Sequence, residues 1–207
     1  MTDTVARIIS WLLHPLFMCV YAALIYYFMM PQVMAFSNQG QWVVIALLLL
    51  TTVLLPAASV FVLVRMGRVR SLQMEEQQQR NWPLLQTTLI YGMCYYMMKD
   101  KNIPVFIVLF VLGALLNMII ALICNQRWKI SLHSIGAAGL AGGIAALFLR
   151  SGDGPVWIAA LLFVLAGAVG TARLQLRAHS PVQVAVGLVA GFVVQFGVVF
   201  FLWKDGF

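Results

Sequence analysis

Seven apolar runs fill most of the chain, at residues 8–30, 41–64, 83–98, 104–124, 132–149, 155–171 and 181–203. A helix needs about 20 mostly apolar residues to cross a bilayer, and these runs lie near that length. None alternates with the period of two that a membrane barrel strand requires. Within lipid, each backbone N–H and C=O must be satisfied inside its own segment, so long unbroken runs fold as helices. Only 9% of the 207 residues are charged, against roughly 25% in a soluble domain. Lipid, rather than water, is therefore the main solvent. The expected architecture is an all-α integral membrane protein with six or seven transmembrane helices. The runs at 83–98 and 155–171 are short, and one of them could be tilted, re-entrant or packed among its neighbours.

The linkers are brief and marked by breakers: Pro31 and Ser37-Asn38-Gln39-Gly40, Asn102-Ile103-Pro104, and Ser151-Gly152-Asp153-Gly154-Pro155. With no repeat and no low-complexity stretch, residues 1–207 read as one polytopic domain. The stretch Met1 to Ser10 leads into a long apolar run without a small-residue cleavage site, so residues 8–30 are expected to stay as a first span. Cys19, Cys94 and Cys124 fall in or at the ends of apolar runs and show no metal-ligand or disulfide spacing. They read as small buried hydrophobes, and no metal or cofactor is expected.

The formal charge of +7 is carried in short loops, without the basic tracts interleaved with aromatics that would suit nucleic acid. Orientation in the membrane and contact with anionic lipid or phosphate explain it better. With seven spans, Arg7, Arg65, Arg68, Arg70, Arg80, Arg127, Lys129, Arg173 and Arg177 share one side, against Lys99, Lys101, Arg150 and Lys204 on the other. The bias favours the first side facing the cytoplasm of a bacterial inner (cytoplasmic) membrane. If Arg80, Lys129 and Arg173 serve chemistry, that margin shrinks.

Two polar clusters interrupt the later runs. One is Lys129-Ile130-Ser131-Leu132-His133. The other runs from Arg173 to His179, closes with Ser180-Pro181, and reaches Gln183. Polar and ionisable groups are expensive in a membrane chain and mark function by default. Two spans separate the clusters, so both return to the same membrane face and could form one site. Their chemistry suits a phosphate ester. Arginine binds phosphate with a planar fork, one histidine can attack phosphorus, and a second can protonate the departing oxygen. Ser180, with Pro181 at the first helical position, and Ser131 can cap helices whose N-termini favour an anion.

Arg173-x5-His179-x3-Gln183, followed by Val184-x2-Gly187, resembles the third motif of the type 2 phosphatidic acid phosphatase family, Ser-Arg-x5-His-x3-Asp. Ser131-Leu132-His133 resembles the second, Pro-Ser-Gly-His. The resemblance covers roughly residues 70–200, with these two motifs carrying most of its weight. The resemblance implies the helix bundle shared with vanadium haloperoxidases and metal-independent removal of phosphate from lipids. It implies His179 as nucleophile through a phosphohistidine and His133 as the acid on the leaving oxygen. Arg173 would bind phosphate, and Ser131 would donate a hydrogen bond to it. The substrate implied is a phosphomonoester or pyrophosphate of phosphatidate, phosphatidylglycerol phosphate or polyprenyl type.

Several positions depart from the pattern. The first motif, Lys-x6-Arg-Pro, has as its nearest counterpart Arg80-Asn81-Trp82-Pro83. Ile130 stands where the second motif has proline, and Lys129 beside it could supply a cation. Leu132 replaces a glycine, and Ala172 replaces a serine. Gln183 replaces the aspartate that would orient the nucleophile; it can hold the ring but cannot offset its charge. Ser180-x-x-Gln183 also fits a capping box, and Arg177 fits a snorkelling anchor. Two alternatives stay open. One is an impaired relative that binds lipid phosphate or scaffolds membrane proteins. The other is a haem protein with His133 and His179 as axial ligands. His14 reads as a boundary residue without a role. Trp82, Tyr91, Tyr95 and Tyr96 read as an interfacial belt.

Overall fold

The computed structural model describes residues 1–30, 37–69 and 77–203. The breaker Pro31 and the basic residues Arg70 and Lys204 lie outside them. The described residues are mostly helical, and none of them forms a strand. Six helical stretches are long and apolar enough to cross a membrane: Asp3–Met29, Asn38–Arg65, Val105–Asn125, Leu132–Ser151, Val156–Gln175 and Pro181–Leu202.

The first stretch is not one helix. α1 (Asp3–Leu12) stops at Leu13, a short turn covers Pro15–Phe17, and α2 (Met18–Met29) continues. Pro15 lacks an N–H, and its ring excludes the helical carbonyl four residues back. The broken turn is repaired by side chains. The Tyr21 hydroxyl donates to the Leu12 carbonyl at 2.7 Å, and the Thr52 hydroxyl oxygen lies 3.3 Å from the Leu16 carbonyl. The second stretch is interrupted in the same way. α3 (Asn38–Leu48) passes through a π-helical segment, Leu49–Leu54, into α4 (Leu55–Arg65) just before Pro56. Thr51 and Thr52 bond back to the Leu47 and Leu48 carbonyls at 2.7 and 2.8 Å there.

α5 (Asn81–Met98) is less apolar but, at 18 residues, spans about 27 Å at 1.5 Å per residue. It runs antiparallel to α6 (Val105–Asn125). The pairing is pinned at one end, where Asn125 Nδ2 donates to the Gln77 carbonyl at 3.0 Å and to Asn81 Oδ1 at 2.8 Å. α5 thus returns the chain, so the starts of α5, α7 (Leu132–Ser151) and α9 (Pro181–Leu202) lie at one end of the bundle. α8 (Val156–Gln175) ends there too. Its apolar run is shorter than its helix. Arg173 and Gln175 continue the α-turns, so the second cluster begins on a helix rather than in a loop.

α7 is the most enclosed helix, and α9 lies against it. The seam is lined by glycines where no Cβ would fit. A Cβ at Gly187 would stand 2.9 Å from the Ser131 carbonyl oxygen, and one at Gly142 would stand 2.8 Å from the Phe192 carbonyl oxygen. A Cβ at Gly191 would overlap the Ile135 carbonyl. Small residues let helix backbones approach in lipid, where packing replaces hydrophobic drive. Gly167, by contrast, faces open space, so it is not part of this packing.

Tyr91 departs from the expected belt. It is 3% exposed and faces the bundle interior, while Trp82 and Tyr96 on the same helix are 54% and 70% exposed. Sequence spacing alone does not say which turn of α5 faces its neighbours. Cys19 and Cys94 are buried and Cys124 is half-buried, all as free thiols.

Candidate functional site

The first cluster is built by a helix start. Ser131 caps α7 and is fully buried. Its Oγ accepts from the Ser134 N–H at 3.3 Å and from the Ser134 hydroxyl at 2.8 Å. With both acceptor positions used, its own hydroxyl hydrogen is left to donate. His133, two residues on, places Nε2 3.2 Å from the Ser10 carbonyl oxygen. A carbonyl only accepts, so Nε2 carries the hydrogen and Nδ1 keeps the lone pair.

The second cluster is built by a tight helix-to-helix turn. α8 closes with the Ala178 N–H on the Arg173 carbonyl at 3.1 Å. Arg177 takes a left-handed φ of 49°, with its side chain exposed as an anchor would be. The turn brings His179 back beside the last turn of α8. Arg173 Nη1 donates to Ser10 Oγ at 3.3 Å, while its Nε is buried and has no partner. Buried polar atoms are nearly always paired, so an orphan guanidinium donor is a specific feature.

His179 is 8% exposed at the mouth of α9. One oxygen of Gln183 meets both the helix cap and the ring. This Oε1 accepts from the Ser180 N–H at 3.1 Å, completing the capping box, and lies 3.1 Å from His179 Nδ1. The backbone N–H can only donate, which fixes this amide atom as the oxygen. Nδ1 of His179 is therefore the N–H, and Nε2 presents its lone pair. The two histidines are held in opposite tautomers.

The surroundings are cationic. Burial lowers the His179 imidazole to about 4, and the charge of Arg80 is the next cause, with smaller effects from Arg173 and Lys129. The bond to Gln183 opposes the shift. Burial and the neighbouring Arg173 lower the Arg80 guanidinium to about 10. His133 lies within electrostatic reach of Arg173, His14 and His179. The expected residues Arg80, Lys129, Ser131, His133, Arg173, His179 and Gln183 thus come from four places in the chain to one end of the bundle. The unprotonated Nε2 of His179 thus lies in a cationic environment, which favours an anion.

Two further residues belong to this constellation. His14 sits edge-to-face with His133, ring centroids 5.0 Å apart. Its Nδ1 accepts the Leu16 N–H at 3.4 Å, so it also caps the turn that Pro15 creates. Ser10, one turn earlier, meets both His133 and Arg173. The available signal for His14 was a histidine before a proline inside an apolar run. Ser10 left no signal in the sequence.

No curated protein matches the chain. No solved structure matches it either. Residues 124–207 match the family model of the PAP2 superfamily, a span that includes both polar clusters and leaves out Arg80, His14 and Ser10. That span, which carries Ser131, His133, Arg173 and His179, is what the chain shares with the PAP2 superfamily.

Proposed function

We propose that the protein is a membrane lipid phosphatase, acting on a lipid phosphomonoester or pyrophosphate in a bacterial inner membrane. The observation that carries this is the unpartnered, buried Arg173 Nε beside an imidazole whose Nδ1–H is held by Gln183. That donor lacks an acceptor, and a phosphate oxygen is the acceptor an arginine fork suits best.

In the proposed reaction, Arg173, Arg80, Lys129 and the Ser131 hydroxyl hold the phosphoryl oxygens. They stabilise the charge that builds on those oxygens in the transition state. The His179 Nε2 lone pair attacks phosphorus, and the bond to the lipid oxygen breaks. His133, protonated on both nitrogens for this step, gives its Nδ1 proton to the leaving oxygen. Water then attacks the phosphohistidine, His133 takes a proton from that water, and the P–N bond breaks to release inorganic phosphate. The lipid tail stays in the bilayer, and the headgroup alone enters among the helix ends. The test is release of inorganic phosphate from a short-chain phosphatidate by the purified full-length protein. A rate no higher than that of a His179→Asn variant would refute the reading.

A second reading is favoured by one observation: Gln183 Oε1 is shared between the ring and the helix cap. A neutral amide cannot offset the charge that His179 gains on phosphorylation, so the chain could bind lipid phosphate without turning it over. Gln183→Glu keeps the reach and adds the charge. A catalytically limited enzyme should gain about tenfold in kcat. Turnover found only in the variant would identify a phosphate binder instead.

A further inference from the structure

Ser10 stands outside the family match, yet it is the point where the two clusters are tied together. It is 7% exposed and lies on the face of α1 that packs on the last turns of α8. Ala6, one turn before it, is fully buried on the same face. Gln175 at the end of α8 donates to Asp3 at 2.9 Å, which pins the start of α1. The opposite face, with Val5, Ile8 and Trp11, is exposed, as suits a helix lying against lipid.

The chain itself explains why Ser10 can do two things. Pro15 ends α1, so the last carbonyls of that helix have no internal donor. The Ser10 carbonyl is one of them, and the His133 Nε2–H takes it at 3.2 Å. The Ser10 hydroxyl takes Arg173 Nη1 at 3.3 Å. A guanidinium offers two forks, one through both Nη atoms and one through Nε. Holding Nη1 on Ser10 leaves the Nε edge, where the unpartnered donor sits, to meet an anion.

We propose that Ser10 is a positioning residue for this site. Its carbonyl selects the His133 tautomer that keeps Nδ1 free. Its hydroxyl turns the Nε edge of Arg173 toward the phosphate. The N-terminal helix is thus a working wall of the site rather than only an anchor. The inference rests on the phosphatase reading for its kinetic consequences. The phosphate-binding consequence stands without turnover.

The experiment uses the full-length protein in lipid nanodiscs, with inorganic phosphate as the probe in calorimetry and short-chain phosphatidate as substrate. Ser10→Ala should weaken phosphate binding and raise KM by about tenfold, the effect of losing one hydrogen bond to a charged group. It should leave kcat within about threefold, because the carbonyl remains. Ser10→Thr, which keeps the hydroxyl, should restore both values, an outcome that mere packing at this position does not predict. Nitrogen-15 spectra of the unsubstituted protein should show His133 protonated at Nε2. Ser10→Ala binding phosphate as tightly as wild type, or His133 protonated at Nδ1, overturns the inference. If His179→Asn abolishes turnover while Ser10→Ala behaves as wild type, only the role of Ser10 fails. If wild type binds no phosphate, both readings fail.

Discussion

Replacing His179 with alanine should lower phosphate release by on the order of 10⁴-fold or more, because the variant lacks the atom proposed to form the covalent intermediate. The remaining cations still bind phosphate, so affinity for inorganic phosphate should change by about threefold or less. A stopped assay with short-chain phosphatidate, paired with phosphate calorimetry, checks both. The pH profile adds an independent signature. His179 must be neutral to attack, and burial with Arg80 nearby has lowered it to about 4. Protonation at lower pH removes the lone pair, so the acid limb of kcat/KM should fall as pH drops through that value. An unperturbed imidazole would place the limb near 6.5. The limb in kcat/KM reports the free enzyme, which is the state described here. An acid limb near 6.5 would mean that the nucleophile is not in the buried, cation-flanked place occupied by His179.

Arg173 is the second large effect. Arg173→Ala should lower kcat/KM by on the order of 10³-fold, since it removes both the proposed phosphate ligand and a charge matched to the proposed transition state. Arg173→Lys keeps the charge but loses the fork, and should recover no more than about tenfold of that. Arg177→Ala is the internal control. Arg177 is exposed on the neighbouring turn, and its replacement should leave kcat/KM within about twofold. Equal losses for Arg173→Ala and Arg177→Ala, with Arg173→Lys close to wild type, would show that net charge at this end of the bundle matters and the fork geometry does not.

Much of the scaffold was legible because lipid imposes simple rules. Apolar run length gave the spans, and the serines at Ser131 and Ser180 with Pro181 gave two helix starts to the residue. Gln183 was readable as a cap partner or as a ring partner, and its single oxygen serves both. The end of α8 was less legible. Hydropathy fades at Thr171, but the helix continues through Gln175 because polar side chains at a membrane boundary do not disturb backbone hydrogen bonding. The break at Pro15 was visible only as a proline. Its consequence, that the Ser10 carbonyl is left for His133 more than 120 residues away, depends on how α1 docks on α8. No local pattern encodes that docking. Tyr91 is a similar case, since an aromatic on a weakly amphipathic helix does not reveal its face. The glycines split between the two readings open to them. Gly142, Gly187 and Gly191 form the α7–α9 seam that fixes the first cluster against α9, while Gly167 meets nothing.

Everything proposed depends on one anion being able to sit against both clusters at once. The direct measurement is a titration of the full-length, nitrogen-15-histidine-labelled protein with inorganic phosphate, read on the imidazole resonances. His133 and His179 should move together along one binding curve, starting from opposite tautomers, and Arg173→Ala should abolish both movements. A phosphate that shifts one ring and leaves the other still, or two rings that follow separate curves, would show that the clusters do not share a site.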